Sequence, residues 1–442
     1  MRRPSPAVRR LLLLFVASLV LSLSALTPSV KAEQVSVWTP VANYPQTLTS
    51  DGVENTGIAS ASCVSSAAYV YCIGGEGSDG NTNDTVYEAL SALGIQSWEN
   101  GSVYPLALNS QSCVVSSGYV YCVGGQDDFR IATSAAYYAP ISDSGIGAWT
   151  PTTSLPVNAS DPSCSTSNGL IYCIGGDLNT MDVRGTPEPA FYASLSSSGI
   201  GPWHGTTAYP GWVTGSSCFA ESSTMYCVGG TTLDTNPNNA TMYASLSSTG
   251  IGTWQSGSPY PFAVSNEACV ALSGYAYCIG GQNDTSGGGG ITITNASSSV
   301  YFAQIGPSGL GTWQSTASFP EPIFDLACVT YTYIYCFGGF EGNSDTLTDG
   351  VYSSGPPPTE TMTATATSGL APSTITITNT STSQVVLSFT ASASKSSSIG
   401  LGTGYLWFVA VNLLVTFCGA IFVFRRRRGP SGNASDEIQK SS

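Results

Sequence analysis

Six times along the chain a short, unbroken apolar and aromatic run rich in β-forming residues stops abruptly at a pair of glycines. Tyr69-Val-Tyr-Cys-Ile, Tyr119-Val-Tyr-Cys-Val and Leu170-Ile-Tyr-Cys-Ile are the first three runs, and the glycine pairs fall at 74–75, 124–125, 175–176, 229–230, 280–281 and 338–339. A short β-rich run of about five residues, bounded by glycine, predicts a strand. A variable loop follows each pair, then a tyrosine at 87, 138, 192, 243, 301 or 352. Most units close on Gly-Ile-Gly-x-Trp or a near variant, with tryptophans at 98, 149, 203, 254 and 313. The period is about fifty residues, and a unit that small buries its faces only by stacking on its neighbours.

Six glycine pairs are followed by only five tryptophans; the sixth, Trp38, precedes the first pair. A ring accounts for this. The segment Val35–Trp38 would supply the outer strand of the last unit, pairing near Val351-Tyr352 and removing two exposed sheet edges. Each unit also carries an aromatic-Pro pair: Tyr44-Pro45, Tyr104-Pro105, Tyr209-Pro210, Tyr260-Pro261 and Phe319-Pro320, with Leu155-Pro156 as the variant. Gly-Gly after an apolar strand, then Tyr, Trp and aromatic-Pro, resembles the kelch repeat over about residues 34–352. The resemblance implies an all-β fold: a six-bladed β-propeller of four-stranded blades, with the ring closed by the N-terminal strand. It resembles galactose-oxidase and kelch-type propellers in fold only, because such propellers serve enzymes and binding modules alike. The arginine often found after the kelch proline is missing from every unit.

The two ends read as membrane-targeting segments. Arg2, Arg3, Arg9 and Arg10 precede an apolar run from Leu11 to Leu26, and Val30-Lys31-Ala32 fits a cleavage site. Residues 1–32 are therefore expected to be a signal peptide and 33–352 the propeller. Residues 353–403, rich in Ser, Thr and Pro, read as an extended stalk whose run Ser373 to Ile377 is too isolated to count as a domain. Within 404–424, Tyr405 to Phe424 is twenty residues without a charge, spanning ~30 Å as a helix, and Arg425 to Arg428 stops it. The arginines place 425–442 in the cytoplasm by the positive-inside rule. The expectation is a single-pass type I protein of the cell membrane with its propeller extracellular.

Twelve of thirteen cysteines are paired by spacing: Cys63 and Cys72, Cys113 and Cys122, Cys164 and Cys173, Cys218 and Cys227, Cys269 and Cys278, Cys328 and Cys336. In an exported chain such pairs are expected as disulfides. The first five suit hairpins whose two-residue turns fall on Ala67-Ala68, Ser117-Gly118, Asn168-Gly169, Ser222-Ser223 and Ser273-Gly274. Opposed cysteines would then lie on a non-hydrogen-bonded pair with Cα atoms ~4.5 Å apart. The sixth pair is one residue closer and breaks that parity. Zinc needs four converging ligands, and each unit offers two cysteines without histidine, so no metal is expected.

Charge narrows the function. Between Glu33 and Gly404 the basic residues are Arg130, Arg184 and Lys395, the only histidine is His204, and twenty-five residues are acidic. A nucleic-acid partner needs clustered Lys and Arg, so that class is excluded. Copper-radical oxidation lacks imidazole ligands, sialidase chemistry lacks an arginine cluster, and Ser-His-Asp catalysis has only His204. The Gly-Ile-Gly-x-Trp turns superficially resemble sialidase Asp-boxes, but the aspartate position holds Ser144 or Thr249. No cofactor is expected. Carboxylate-pair glycoside hydrolysis survives, with Glu76, Asp79, Asp127, Asp128, Asp177, Asp234, Asp284, Glu341 and Asp345 as loop acids.

The long variable loops after Gly-Gly should share one face with the loops linking units, and recognition commonly lives on such loops. Ligand-face candidates there are Trp212, Phe129, Phe340, Asp127 and Asp128, with Phe324 as a further loop aromatic. Asn83, Asn100, Asn158, Asn239, Asn283 and Asn295 head Asn-x-Ser/Thr glycosylation motifs expected in loops of that same face. The leading expectation is an extracellular binding or adhesion protein whose partner is a glycan or protein at the cell surface. The alternative is a surface carbohydrate-active enzyme using a carboxylate pair on the long-loop face.

Overall fold

A computed structural model describes residues 35–354, apart from 42, 46–56, 91–94, 96, 178–187, 212–213, 232–235, 284, 287–291, 294 and 343–345, together with three strands between 361 and 390. The chain forms two compact units, residues 1–358 and 359–442. The first is all-β and consists mainly of repeated antiparallel sheets that fit a β-propeller. In the first repeat Ser62–Ser66, Tyr69–Ile73, Thr85–Ala89 and Glu99–Asn100 lie side by side in chain order. The next four repeats keep this order, and their third strand is longer and folds back on a short Gly-Ile or Gly-Leu strand. In the last sheet Ala327–Thr330, Ile334–Phe337 and Val351–Ser354 are followed by Trp38–Pro40 from the other end of the chain.

The first strands, those bearing the leading cysteine of each pair, contact one another in succession, and Ser62–Ser66 also contacts Ala327–Thr330. Apolar residues fill the seams between successive sheets. Tyr71 and Ile73 of the first pack with Val120 and Cys122 of the second, and Tyr335 and Phe337 of the last pack with Val70 and Cys72 of the first. Tyrosines stitch the same seams: the hydroxyls of Tyr71, Tyr121 and Tyr172 donate to the carbonyls of Ser142, Ser196 and Ser247 in the next sheet, at 2.7 to 2.8 Å.

The terminal strand departs from expectation in its position. Trp38 to Pro40, rather than Val35 to Trp38, pairs with the last sheet, in the register Trp38↔Ser354 and Pro40↔Tyr352. In the other five units the outer strand begins on the residue just after the tryptophan. The reason is that residues ahead of the tryptophan are committed to a seam. The Val35 carbonyl accepts the Thr316 hydroxyl at 2.7 Å, as the Ile200 and Ile251 carbonyls accept Thr153 and Thr207. Trp38 is 7% exposed, donates its indole N–H to the Ala317 carbonyl and meets Phe319 edge-on. The other five repeat tryptophans make the same kind of indole-to-carbonyl bond. Trp98, Trp149 and Trp203 are only half-buried, so the tryptophans seal seams rather than fill a central core.

The glycine pairs have a tertiary cause. A Cβ on the first glycine would lie 2.0 to 2.6 Å from a backbone carbonyl of the next repeat at Gly74, Gly124, Gly229, Gly280 and Gly338. The second glycine donates its N–H to that same carbonyl: Gly75 to Leu108, Gly125 to Ala159, Gly230 to Val264, Gly281 to Ile323 and Gly339 to Ile58.

All six disulfides are present with Cα–Cα distances of 4.0 to 4.1 Å. Ser117-Gly118, Asn168-Gly169 and Ser273-Gly274 have positive φ at both positions, as type I′ turns require; at Ala67-Ala68 and Ser222-Ser223 only the first residue does. The sixth pair recovers its register because Thr330 opposes Ile334 across a three-residue loop, which brings Cys328 opposite Cys336. Each bond closes a short loop and contributes ~2–3 kcal/mol by chain entropy. Mass mapping of the non-reduced protein is expected to yield these six links alone, and linkage between repeats or free thiols there would contradict the hairpins.

In the second unit, Thr361–Ala366, Ser373–Thr380 and Gln384–Thr390 form a three-stranded antiparallel meander. The stalk segment therefore contains more regular structure than its composition implies. Alternating Thr and Ile over Ser373–Thr380 suits a strand, a signal masked by the surrounding Ser/Thr/Pro content. Among the described residues no helix is long and apolar enough to cross a membrane. The segments 1–32 and 404–424, read as signal and membrane helix, lie outside the described residues.

Candidate binding face

The loops linking repeats and the loops after Gly-Gly meet on one face, through bridges such as Ala59↔Glu76, Asn109↔Gln126, Ser160↔Asp177 and Ser265↔Gln282. Three residues before each leading cysteine stand Ser60, Ser110, Asp161, Gly215, Asn266 and Asp325. All six have φ between 51° and 66°, the left-handed region. Backbone bonds link them from repeat to repeat: Ser110 to Ser60, Asp161 to Ser110, Asn266 to Gly215, Asp325 to Asn266 and Ser60 to Asp325, each 2.8 to 3.0 Å. Asn and Asp tolerate this conformation better than most side chains; the two serines are held in it by the bonds.

These residues rim a cavity of about 280 Å³ lined by the first strands of all six repeats. Cys164, Cys269 and Cys328 border both this cavity and one of about 350 Å³ lined by residues further along those strands, including Ser65, Thr166 and Glu221. The rim is rich in acceptors, and Asp161 and Asp325 stand three steps apart in the order of the repeats. Crowding by protein atoms raises the Asp161 carboxyl above its ordinary range, the Ser110 hydrogen bond lowers it, and Asp177 raises it further. Its side chain nevertheless remains open to water, so solvent screening keeps that effect small.

The expected ligand-face residues have mixed placements. Asp127 accepts the N–H groups of Phe129 and Ile131, both at 2.9 Å, and so fastens its own turn. Asp128 accepts the Asn81 N–H at 2.7 Å and ties that turn to the first repeat's loop. The turn projects Phe129 outward, 84% exposed. Phe340 stacks on buried Phe324 at 5.3 Å, within a small sheet that underlies the loop. Glu76 accepts the Asn109 amide, and Asp79 is exposed. Trp212, Asp234, Asp284 and Asp345 lie outside the described residues. Of the glycosylation motifs, Asn100 ends the outer strand Glu99–Asn100 instead of lying in a loop, and Asn283 and Asn295 bond to each other across one loop. His204 is exposed on an outer strand beside Tyr192.

Two buried acids, Glu188 and Glu267, stand apart from the acids that directly follow Gly-Gly. Glu188 precedes the third strand of its repeat, and burial, then the charge of Asp177, pushes its carboxyl up to about 7. Glu267 stands two residues before Cys269, and burial pushes it up to about 8. For Glu267 the available signal was an acid two residues before the leading cysteine. Among the described residues no cluster of three or more His, Cys, Asp or Glu is arranged to hold a metal ion.

No family model matches the chain, and no curated protein matches it. Among solved structures it is similar to that of YjhT, with a TM-score of 0.55 and 13% identity over 78% of this chain and 99% of the other, a likeness that speaks to fold alone.

Proposed function

We propose that this is a cell-surface binding or adhesion protein, exported by its N-terminal signal and anchored by one C-terminal helix. It displays a six-bladed kelch-type propeller whose ring the N-terminal strand closes. Its partner is a glycan or protein of the cell surface, held on the long-loop face. The observation that carries this reading is the rim of Ser60, Ser110, Asp161, Asn266 and Asp325 around the cavity, each fixed in place by its backbone. Carboxylate and amide groups held in advance accept and donate hydrogen bonds to hydroxyl-rich ligands without an ordering cost at binding.

The test is binding of fragment 33–358 to arrayed glycans and envelope extracts. The double variant Asp161→Asn, Asp325→Asn is expected to lose at least tenfold in affinity while keeping its thermal midpoint. Unchanged affinity would move the site away from the rim. One observation favours the alternative, a carbohydrate-active enzyme: buried Glu188, protonated up to about pH 7, feels the charge of Asp177, the division of roles that an acid and its partner carboxylate need. Turnover in the same screen, lost in Glu188→Gln, would establish that reading instead.

A further inference from the structure

Gln111 and Glu267 occupy the same place in two different repeats, each two residues before the leading cysteine. Gln111 is buried, and its amide donates to the Ile73 carbonyl of the preceding sheet at 2.7 Å. The amide nitrogen lies against Gly74, where an added Cβ would stand 2.4 Å away. In the later repeat the matching elements are Val228 and Gly229, and a Cβ on Gly229 would stand 2.7 Å from Glu267 Oε1. A carboxyl oxygen thus occupies the place of an N–H donor, facing the backbone stretch whose counterpart offers a carbonyl.

Glu267 is 6% exposed, and neither of its oxygens has a well-aligned hydrogen-bond partner. The titratable groups that face it are Tyr209 and Tyr260, both shifted upward by burial first and by Glu267 second; neither supplies a positive charge. The N–H groups of Glu267 and Ser217 favour the ionised form, but less than burial opposes it. An ionised carboxylate here would be buried with no cation beside it and no well-aligned donor, a costly arrangement. A protonated one would reproduce the Gln111 bond.

We propose that Glu267 is held as a neutral carboxylic acid that donates its O–H to the Val228 carbonyl, making the seam between the fourth and fifth sheets a proton-dependent joint. The joint is tightest in acid and loosens as pH rises. The direction follows from linkage. The folded group binds its proton up to about pH 8, against an ordinary value of 4.5, so the folded form holds more protons than the unfolded chain between those values. Stability from this residue is full below about pH 4.5 and falls through the window up to about 8. Raised carboxyls at Asp161 and Glu188 slope the same way, so the test compares variants rather than one curve.

The thermal midpoint of the full-length protein is measured from pH 4 to pH 9, alongside Glu267→Gln and Gln111→Glu. The amide in Glu267→Gln donates at every pH, so its curve should meet wild type in acid and exceed it by on the order of 5 °C at the alkaline end. Gln111→Glu should acquire the opposite behaviour, matching wild type in acid and falling below it as pH rises. Infrared difference spectra should show a protonated carboxyl band at neutral pH that Glu267→Gln removes. Parallel curves for wild type and Glu267→Gln, or a neutral-pH spectrum unchanged by that substitution, would overturn the proposal. Should Glu267→Gln fail to fold, Gln111→Glu decides alone: a new pH slope supports the joint, and a curve parallel to wild type overturns it.

Discussion

Deleting residues 33–40 is expected to lower the stability of the first unit by ~3–5 kcal/mol, the usual cost of removing a large aromatic from a packed site. Trp38 shares its cluster with Tyr277, Ile279 and Phe302 of the fifth sheet, Ile334 of the last, and Phe319 and Ile323 from the segment that links them. Its loss would open that seam and leave Val351–Ser354 as an unpaired edge, since Trp38–Pro40 is its outer partner. The Val35 carbonyl would no longer receive Thr316 and Ala317. Ending the chain at 358 removes residues that form their own compact unit and should move the thermal midpoint by less than about 2 °C. The check is denaturant unfolding of fragments 33–358 and 41–358 beside the full chain. Equal midpoints for all three would mean that the terminal strand does not hold the last sheet.

Gly338→Asn should destabilise by ~4 kcal/mol or more, whereas Gly118→Asn should cost well under ~1 kcal/mol. The comparison separates two reasons for glycine. Both positions have positive φ, 56° and 80°, and asparagine tolerates that region at modest cost. At Gly118 a Cβ would meet nothing within 4 Å. At Gly338 it would fall 2.0 Å from the Ile58 carbonyl oxygen, the group that accepts the Gly339 N–H at 2.7 Å. Backbone on both sides leaves no flexible side chain to yield, so the last and first sheets must separate or Gly338 must move. Urea midpoints of the two variants, with surface tryptic sites as a fold check, give the comparison. Similar small losses at both positions would show that conformation, not contact, selects the glycine pair.

Repetition made much of the architecture legible in one dimension. Short β-rich runs, turns such as Asn168-Gly169 and cysteines nine residues apart are local features, and backbone geometry at short range determines their outcome. The displaced tryptophan likewise pointed to a strand shared between the chain's two ends. The sequence also carried Thr-Ile alternation over Ser373–Thr380, a strand signal obscured by the composition around it.

What depended on packing was hidden. That the outer strand starts at or just after the tryptophan follows from the seam in which Val35, Ile200 and Ile251 give up their carbonyls, contacts formed across repeats. Asp127 and Asp128 look like free loop acids until their acceptor oxygens are seen holding neighbouring N–H groups, and Phe340 looks available until Phe324 lies under it. Asp161, Asp325 and Glu267, distant from one another in sequence, come to one cavity because the linking loops of all six repeats converge there. Sequence by itself therefore determined the repeat, its strands and its disulfide pairs, which need only near neighbours along the chain. Tertiary structure decided which acids are exposed, which are tied and which are buried, because solvation and hydrogen-bond partners depend on how the loops and neighbouring repeats pack.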